Sequence, residues 1–147
     1  MSNVIPPGSR FATELAALAD GDGVVVVAAG PDIGDDWEAI AHELGEAFEA
    51  TQAAVRAGHP VVYVVAGEDL LGQRGSPASM VACGLLSAAR TAAIEGARAS
   101  IAVNVVAAFA DAEPVDVAAW VGRLWASHGV SGELVRLGTG HLGKALP

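Results

Sequence analysis

Cysteine, lysine and aromatic side chains are scarce in this chain of 147 residues. A single cysteine, Cys83, excludes an internal disulfide. Together with His42, His59, His128 and His141 it shows no metal-ligand spacing, so we expect no metal site. Only eight Lys and Arg face 17 Asp and Glu, giving a net charge of −9. The cations are scattered along the sequence, whereas nucleic-acid binding needs clustered cations, so we expect no nucleic-acid partner.

Long hydrophobic runs and export signals are also missing. No uninterrupted apolar run reaches the roughly 18 residues of a membrane span. The first ten residues, MSNVIPPGSR, lack the basic-then-apolar order of a signal peptide. A lone cysteine suits a reducing compartment. We therefore expect no membrane contact and a cytoplasmic location.

Alanine and valine supply much of an apolar content of 52%. The runs VVVV at 24–27 and VVYVVA at 61–66 are continuous rather than alternating, which indicates parallel strands covered on both faces. Such strands belong to an α/β protein whose helices pack on both sides of one sheet. The length suits one domain.

The order of breakers and periodic segments divides the chain into an N-terminal arm with a short helix, 1–20, and an α/β domain, 21–147. Proline and glycine at 6–8 predict an irregular start, followed by a helix at 11–19. The remaining pattern alternates strand and helix, with Asp35 or Asp36 and Ser76 as N-caps and right-handed crossovers throughout. The predicted strands are 24–29, 61–66, 101–107 and 133–137, and the predicted helices are 36–57, 77–97 and 115–127.

Several segments resemble the short-chain dehydrogenase/reductase family over about residues 22–143. Gly75 to Ala108 is similar to a family helix followed by a strand that carries the Val103-Asn104 pair. Gly23 to Gly30 resembles the strand that ends in Asn-Asn-Ala-Gly, Phe48 to Val55 the following helix, and Val130 to Gly140 the final turn and strand. The resemblance implies a truncated Rossmann-like three-layer fold with about four parallel strands, and a loop-fixing role for Asn104.

The same register places substitutions at all four members of the family's Asn-Ser-Tyr-Lys group. They fall at Glu43, at Ala66 or Gly67, at Met80 and at Gly84. The thioether of Met80 cannot donate a proton, and Gly84 has no ammonium group. Since general acid–base catalysis contributes about 10² to 10⁴-fold to rate, the resemblance implies that hydride transfer by this route is lost. Met80 and Cys83 are then expected to be packing residues.

The cofactor half of the family is also not recognisable. Only 23 residues precede the first predicted strand, too few for the Gly-rich turn and helix that receive a pyrophosphate. The match of Gly138 to Gly143 to G-x-G-x-x-G lacks a following helix, which favours a C-terminal turn. We expect no cofactor on this chain alone, and NAD(P)H only in an active partner.

Partner surfaces follow from the resemblance. In the family the helices equivalent to 36–57 and 77–97 form a four-helix bundle across a two-fold axis. The strand at 24–29 would also have an open edge, to be covered by the arm, a second copy or a partner. We therefore predict a non-catalytic subunit that assembles with, and supports, an active full-length ketoreductase or dehydrogenase. Trp120 and Trp125 are candidates for either core or interface.

Two other functions stay open. Glu68 and Asp69 follow a strand at the edge where open α/β sheets bind ligands, so with Glu43 they are candidate acids or bases of a repurposed enzyme or small-molecule-binding protein. The alternative for the two loop carboxylates is a solvated loop. A self-assembling homo-oligomer without an active partner is the third hypothesis.

Overall fold

The computed structural model of the protein describes residues 3–5, 10–18, 21–28 and 30–141. Two short 3₁₀ turns lie at Gly30–Ile33 and Ala97–Ala99. Five strands and five α-helices make up the remaining elements of this part of the chain, alternating except where the third helix is followed directly by the fourth. The strands are β1 (Asn3–Ile5), β2 (Val24–Val27), β3 (Val61–Ala66), β4 (Val103–Ala108) and β5 (Leu134–Leu137), and the helices are α1 (Arg10–Leu18), α2 (Trp37–Ala57), α3 (Gly67–Leu70), α4 (Ser76–Gly96) and α5 (Pro114–Ala126).

The five strands form one fully parallel sheet in the order β1-β2-β3-β4-β5. The continuous valine runs lie at its centre, where Val24 to Val27 pair with Val61 to Val64, and each of these positions is buried. The α/β architecture predicted from these runs is confirmed. Burial on both faces is the reason that they do not alternate with polar residues.

Two separate hydrophobic cores lie on the two faces of the sheet. Val24, Val26 and Tyr63 point to the face covered by α2 and α4. The alternate residues, Val25 and Val27 among them, pack against α1 and α5 on the other face. This period of two sends alternate apolar side chains of β2, β3 and β4 to opposite cores.

The crossovers correct one expectation. All strands follow in sequence order, so every crossover steps in the same direction across the sheet. Helices α2 and α4 nevertheless cover one face and α1 and α5 the other. When two crossovers step in the same direction across a sheet, they have opposite handedness if their helices lie on opposite faces. Two of the four must therefore be left-handed, against the usual right-handed rule.

The N-terminal segment also differs from the prediction. Asn3–Ile5 is a strand that pairs with Val24, Val25 and Val26, whereas this stretch was predicted to be irregular. Residues 6–9, where the breakers fall, lie outside the described residues. The arm is thus one of the three predicted covers for the edge of β2, and α1 packs against α5 within the same layers. The sheet has one strand more than expected.

Helix ends were predicted with mixed success. Asp36 caps α2 as expected, since its Oδ1 accepts the Glu38 N–H at 3.0 Å. Gly58 ends that helix at φ 81°, a left-handed conformation that glycine adopts without strain. The expected cap Ser76 is instead the first residue of α4, and Gly75 holds the cap position. A single turn, α3, lies in what was predicted to be a loop.

The observed burial of the tryptophan, methionine and cysteine side chains can be compared with what the sequence predicts. The Trp125 ring lies so close to Gly23 that a Cβ there would be 2.2 Å from it, which places Trp125 against the domain body. Trp120 is half-buried, 5.2 Å from the Arg123 guanidinium. Met80 and Cys83 are exposed, so the prediction that both fill core gaps is wrong.

Within the described chain, one segment is long and apolar enough to cross a membrane by length and composition alone, Ser76–Ala99. Its helix, α4, buries Val81, Leu85 and Leu86 in the core beside β3 and β4. A core helix of a layered α/β domain has the same composition, so this property is weak evidence for a span.

Candidate functional site

The carboxyl ends of β3 and β4 form the crevice in which open α/β sheets bind ligands. After β3 the chain turns toward the face of α4, and after β4 it turns toward the face of α5. Adjacent strands whose connections leave to opposite faces open a gap between their loops. The candidate acids Glu68 and Asp69 lie in the first of these loops. A similar divergence between β1 and β2 involves residues outside the described part.

Phe109 fills this crevice. It follows β4 directly and is only 5% exposed. A Cβ on Gly67 would lie 2.4 Å from its ring, and a Cβ on Gly140 would lie 2.2 Å from it. Both glycines therefore permit backbone to approach the two sides of one aromatic ring. The space is occupied by the protein's own side chain.

Glu68 ties the two loops of the crevice together. Its Oε1 accepts the backbone N–H of Ala110 at 2.8 Å, which links the end of β3 to the residue after Phe109. A carboxylate that accepts a backbone N–H satisfies a donor that the loop would otherwise expose. The candidate acid Glu68 thus has a structural contact in this state.

Asp69 is the most deeply buried carboxylate of the region. Its side chain is 1% exposed and forms a bidentate ion pair with Arg74, Nε to Oδ1 at 2.8 Å and Nη2 to Oδ2 at 2.7 Å. A fork-to-fork pair of this kind fixes geometry as well as charge. Arg74 is held at the same time near Gly30, at the end of β2. The second candidate acid, Asp69, is therefore ion-paired with Arg74.

A hydrogen-bonded contact between Asp111 and Thr139 borders the crevice on the side of β5. Asp111 accepts the Thr139 N–H at 2.9 Å and 3.2 Å from its two carboxylate oxygens. A side-chain hydrogen bond from Thr139, with the backbone bond from the same residue, lowers the pKa of Asp111 below its usual value. The turn after β5 is thereby fastened to the loop after β4. No group of three or more His, Cys, Asp or Glu side chains is placed to hold a metal within the described ranges.

A trench separates α2 from α4 on the outer face of the helical layer. Its volume is about 630 Å³, and its walls are mostly apolar. Leu44 and Gly84 approach closely, since a Cβ on Gly84 would lie 3.0 Å from the Leu44 side chain. Toward the carboxyl ends of the helices the trench is lined by Val55 and Ala92, and Phe48 on its wall is 64% exposed.

A buried hydroxyl pair forms part of the lining. Tyr63 is 1% exposed, and its phenolic oxygen is hydrogen-bonded to the Thr51 hydroxyl. Thr51 in turn donates to the Ala47 carbonyl oxygen at 2.7 Å. Burial raises the pKa of Tyr63, although the Thr51 hydrogen bond opposes this. The phenol therefore stays protonated well above neutral pH.

Solved structures share this arrangement of strands and helices. A short-chain dehydrogenase from Mycobacterium smegmatis superposes with a TM-score of 0.66 at 18% identity, covering 95% of this chain and 91% of its own. The chain has the short-chain dehydrogenase fold. An apo SCOR enzyme from Clostridium thermocellum has a TM-score of 0.57 at 12% identity, covering 77% of this chain and 60% of its own.

A third structure, ElxO with NADP bound, has a TM-score of 0.55 at 13% identity and covers 78% of this chain and 65% of its own. The chain thus spans less than two thirds of the length of ElxO and of the clostridial enzyme. By sequence, no family model and no curated protein matches. The likeness is one of fold, and it confirms the fold that the sequence resemblance implied.

Within the short-chain dehydrogenase fold, the positions assigned to the family's catalytic group lie in different surroundings. Gly67 faces the Phe109 ring in the crevice, next to half-buried Ala66. Gly84 instead lines the trench and lets α2 approach α4. Glu43 is buried on α2, and Met80 is 45% exposed on α4. These residues do not supply a hydroxyl, phenol or ammonium group.

Sequence reasoning missed two residues that shape these surfaces. Phe109 could have been noticed as a large aromatic directly after a predicted strand, at the edge where ligands bind. Tyr63 is the only tyrosine of the chain and interrupts a run of valines. The predicted loop-fixing role of Asn104 has a geometric basis, because its amide bonds the Val130 carbonyl at 2.9 Å and accepts the Glu133 N–H at 3.1 Å.

Proposed function

We propose that this protein is a non-catalytic subunit with the short-chain dehydrogenase fold that assembles with, and supports, an active full-length ketoreductase or dehydrogenase. The observation that carries the proposal is the contrast between a ligand crevice filled by Phe109 and an open apolar trench on α2 and α4. Function is argued from these sites rather than from the fold, because one fold hosts many functions.

The filled crevice supports the non-catalytic half of the proposal. A ligand at this edge of the sheet would need the space between the ends of β3 and β4 that the Phe109 ring occupies. The nearby carboxylates of Glu68 and Asp69 already have partners within the chain, the Ala110 N–H and the Arg74 guanidinium. These residues do not fit a dinucleotide at this point. In the proposal, NAD(P)H is bound by the partner.

The face formed by α2 and α4 supports the assembly half. Phe48 at 64% exposure and Ile94 at 78% are large apolar side chains turned to solvent. Between the helices lie small residues, Gly84, Ser87 and Ala88, which allow a partner helix to approach closely. Aromatic and aliphatic anchors beside a depression are typical of a protein interface. The edge of β2 is a weaker candidate, since β1 pairs along three of its residues.

The proposed setting is the cytoplasm, where reductases use soluble NAD(P)H. The exposed Cys83 is consistent with a reducing compartment. The net charge of −9 keeps the free subunit soluble but gives no preference for an acidic partner.

The test is co-expression of the chain with a full-length reductase of this fold, followed by native mass spectrometry and an NAD(P)H turnover assay. We expect a defined hetero-oligomer whose activity exceeds that of the reductase alone. Ala88→Arg, on the trench wall, should abolish the complex by placing a charge in an apolar contact. Ala119→Arg, at an exposed position on α5, is the matched control and should leave the complex intact.

Either of two results would overturn the proposal. One is turnover of NAD(P)H by this chain alone. The other is a stable homo-oligomer that neither binds a reductase nor changes its activity, which would favour the homo-oligomer hypothesis instead.

A further inference from the structure

We propose that the trench between α2 and α4 binds a small, uncharged, apolar molecule that carries a hydroxyl group, with the hydroxyl directed at Tyr63. This inference goes beyond the proposed function and concerns the free chain, in which no partner covers the trench; a partner subunit on this face would compete with the ligand. It rests on the size of the trench, on the hydrogen-bond direction along its buried hydroxyl pair, and on the charges at its rim.

The size of the trench suits a small ligand. A volume of about 630 Å³ lies within the range of about 300 to 1,000 Å³ typical of ligand pockets. Leu44, Val55, Leu85 and Ala92 give apolar walls, and few polar groups interrupt them. Tyr63 and Thr51 form the buried hydroxyl pair of this lining, and Gln52, Ser87 and Thr91 add further polar side chains, which matches a mostly apolar pocket with a few orienting groups.

The direction of the hydrogen bonds identifies which group the ligand must offer. Thr51 uses its only hydroxyl proton on the Ala47 carbonyl oxygen. The proton between Thr51 and Tyr63 must therefore come from the phenol. This leaves the phenolic oxygen as an acceptor without a donor among the described residues. A ligand that donates a proton, such as an alcohol, complements it, whereas an ether does not.

The charges around the trench favour an uncharged ligand. The only ionisable side chains in its lining besides Tyr63 are Arg56 and Glu95, one of each sign, near the carboxyl ends of α2 and α4. Both are exposed to water, and their charges cancel. Tyr63 is a neutral phenol at pH 7 at its ordinary pKa, and burial raises that pKa further. An anion or a cation in the trench would thus lose hydration without gaining a net opposite charge.

The experiment compares two probes of similar shape on the chain alone. 1-Octanol and 1-methoxyoctane are titrated separately while the methyl resonances of Leu44, Val55 and Ala88 are followed by NMR. We expect the alcohol to shift these resonances and to bind about 2- to 12-fold more tightly than the ether, the range that one hydrogen bond provides. Equal affinities, or no shift with either probe, would overturn the proposal.

Three variants separate the possible causes. Tyr63→Phe should remove the preference for the alcohol while Thr51 keeps its bond to Ala47. Thr51→Val should free the phenolic proton for the ligand, so that the ether gains affinity and the preference disappears. Ala88→Trp should fill the trench and abolish both shifts, and the amide spectrum of the sheet reports whether each variant is folded.

The alternative occupant is a second copy of the chain. Native mass spectrometry of the wild type at the NMR concentration tests it. A dimer in which the trench methyl groups respond to dilution but to neither probe would contradict the ligand proposal. It would leave the proposed reductase support subject to its own co-expression test.

Discussion

The crevice after β3 and β4 and the trench between α2 and α4 are both concave, yet the chain treats them in opposite ways. The crevice is filled by Phe109 and fastened by Glu68, Asp111 and the Asp69–Arg74 pair. The trench is left open, with Phe48 exposed beside it. Side chains that fill a cleft bury apolar surface and so stabilise the fold. Apolar surface that stays uncovered is available to a partner or a ligand.

Two phenylalanines provide the strongest test of this contrast. Phe109→Ala should lower the free energy of unfolding by about 3 to 5 kcal/mol, because it removes a buried ring and leaves a cavity between Gly67 and Gly140. Phe48→Ala should change it by no more than about 0.5 kcal/mol, because that ring is mostly exposed. Urea unfolding of both variants measures the difference. Equal losses would mean that the trench face is buried in the isolated protein.

The next effect concerns the buried ion pair. Arg74→Met leaves the Asp69 carboxylate, which is 1% exposed, without its guanidinium partner. We expect a loss of about 2 to 3 kcal/mol, below the full cost of breaking a fully buried pair because Arg74 is partly exposed. The double variant Asp69→Asn/Arg74→Met removes both charges and should recover part of this loss. If the double variant is less stable than the single one, the pair is not the source of the effect.

A smaller effect should follow from adding volume to the filled crevice. A methyl group on Gly67 would collide with the Phe109 ring, since the Cβ position is 2.4 Å away. Gly67→Ala should therefore cost about 1 to 3 kcal/mol by overpacking. Gly67→Ala/Phe109→Leu has room for the new methyl group, so the two changes should cost less together than their separate effects predict. Additive losses would show that the ring can move aside freely.

Features set by local chemistry could be predicted from the sequence, and features set by long-range pairing could not. Continuous valine runs and glycine or proline breaks predict β3 and α2 to within one residue and the start of β2 correctly, because local burial and helix ends depend on local chemistry. The strand Asn3–Ile5 was missed because three residues next to two prolines carry no periodic signal, and only pairing with Val24 to Val26 makes them a strand. Mixed crossover hands were missed because the hand depends on which face receives each helix.

The candidate site was only partly predictable for a related reason. Its location at the end of β3 follows from the rule for open α/β sheets. The roles of Glu68 and Asp69 do not, since Ala110 lies 42 positions from Glu68 and the two meet only after β4 is placed beside β3. Contacts between residues this far apart in the sequence decide whether a carboxylate is available for catalysis or links two loops.

The smallest effect we predict is the pH dependence of the contact between Asp111 and Thr139. The hydrogen bond from the Thr139 side chain, and then the one from its backbone, lower the pKa of Asp111 from its usual value of 3.8. A carboxyl whose pKa is lowered by folding stabilises the fold above the pKa of the unfolded state. This stabilisation is lost as the pH falls through the folded pKa. Stability should therefore decrease slightly with acidification below about pH 4, the range set by the usual carboxyl pKa.

Thr139→Ala should return the pKa of Asp111 part of the way to its usual range, because the side-chain bond is lost and the backbone N–H remains. NMR titration of the Asp111 carboxyl carbon in both proteins measures this shift. Asp111→Asn should remove the corresponding part of the acid dependence of unfolding, since the amide does not titrate. An unchanged pKa in Thr139→Ala would mean that the backbone bond alone holds the turn after β5, and the threonine side chain would then have no part in closing the crevice.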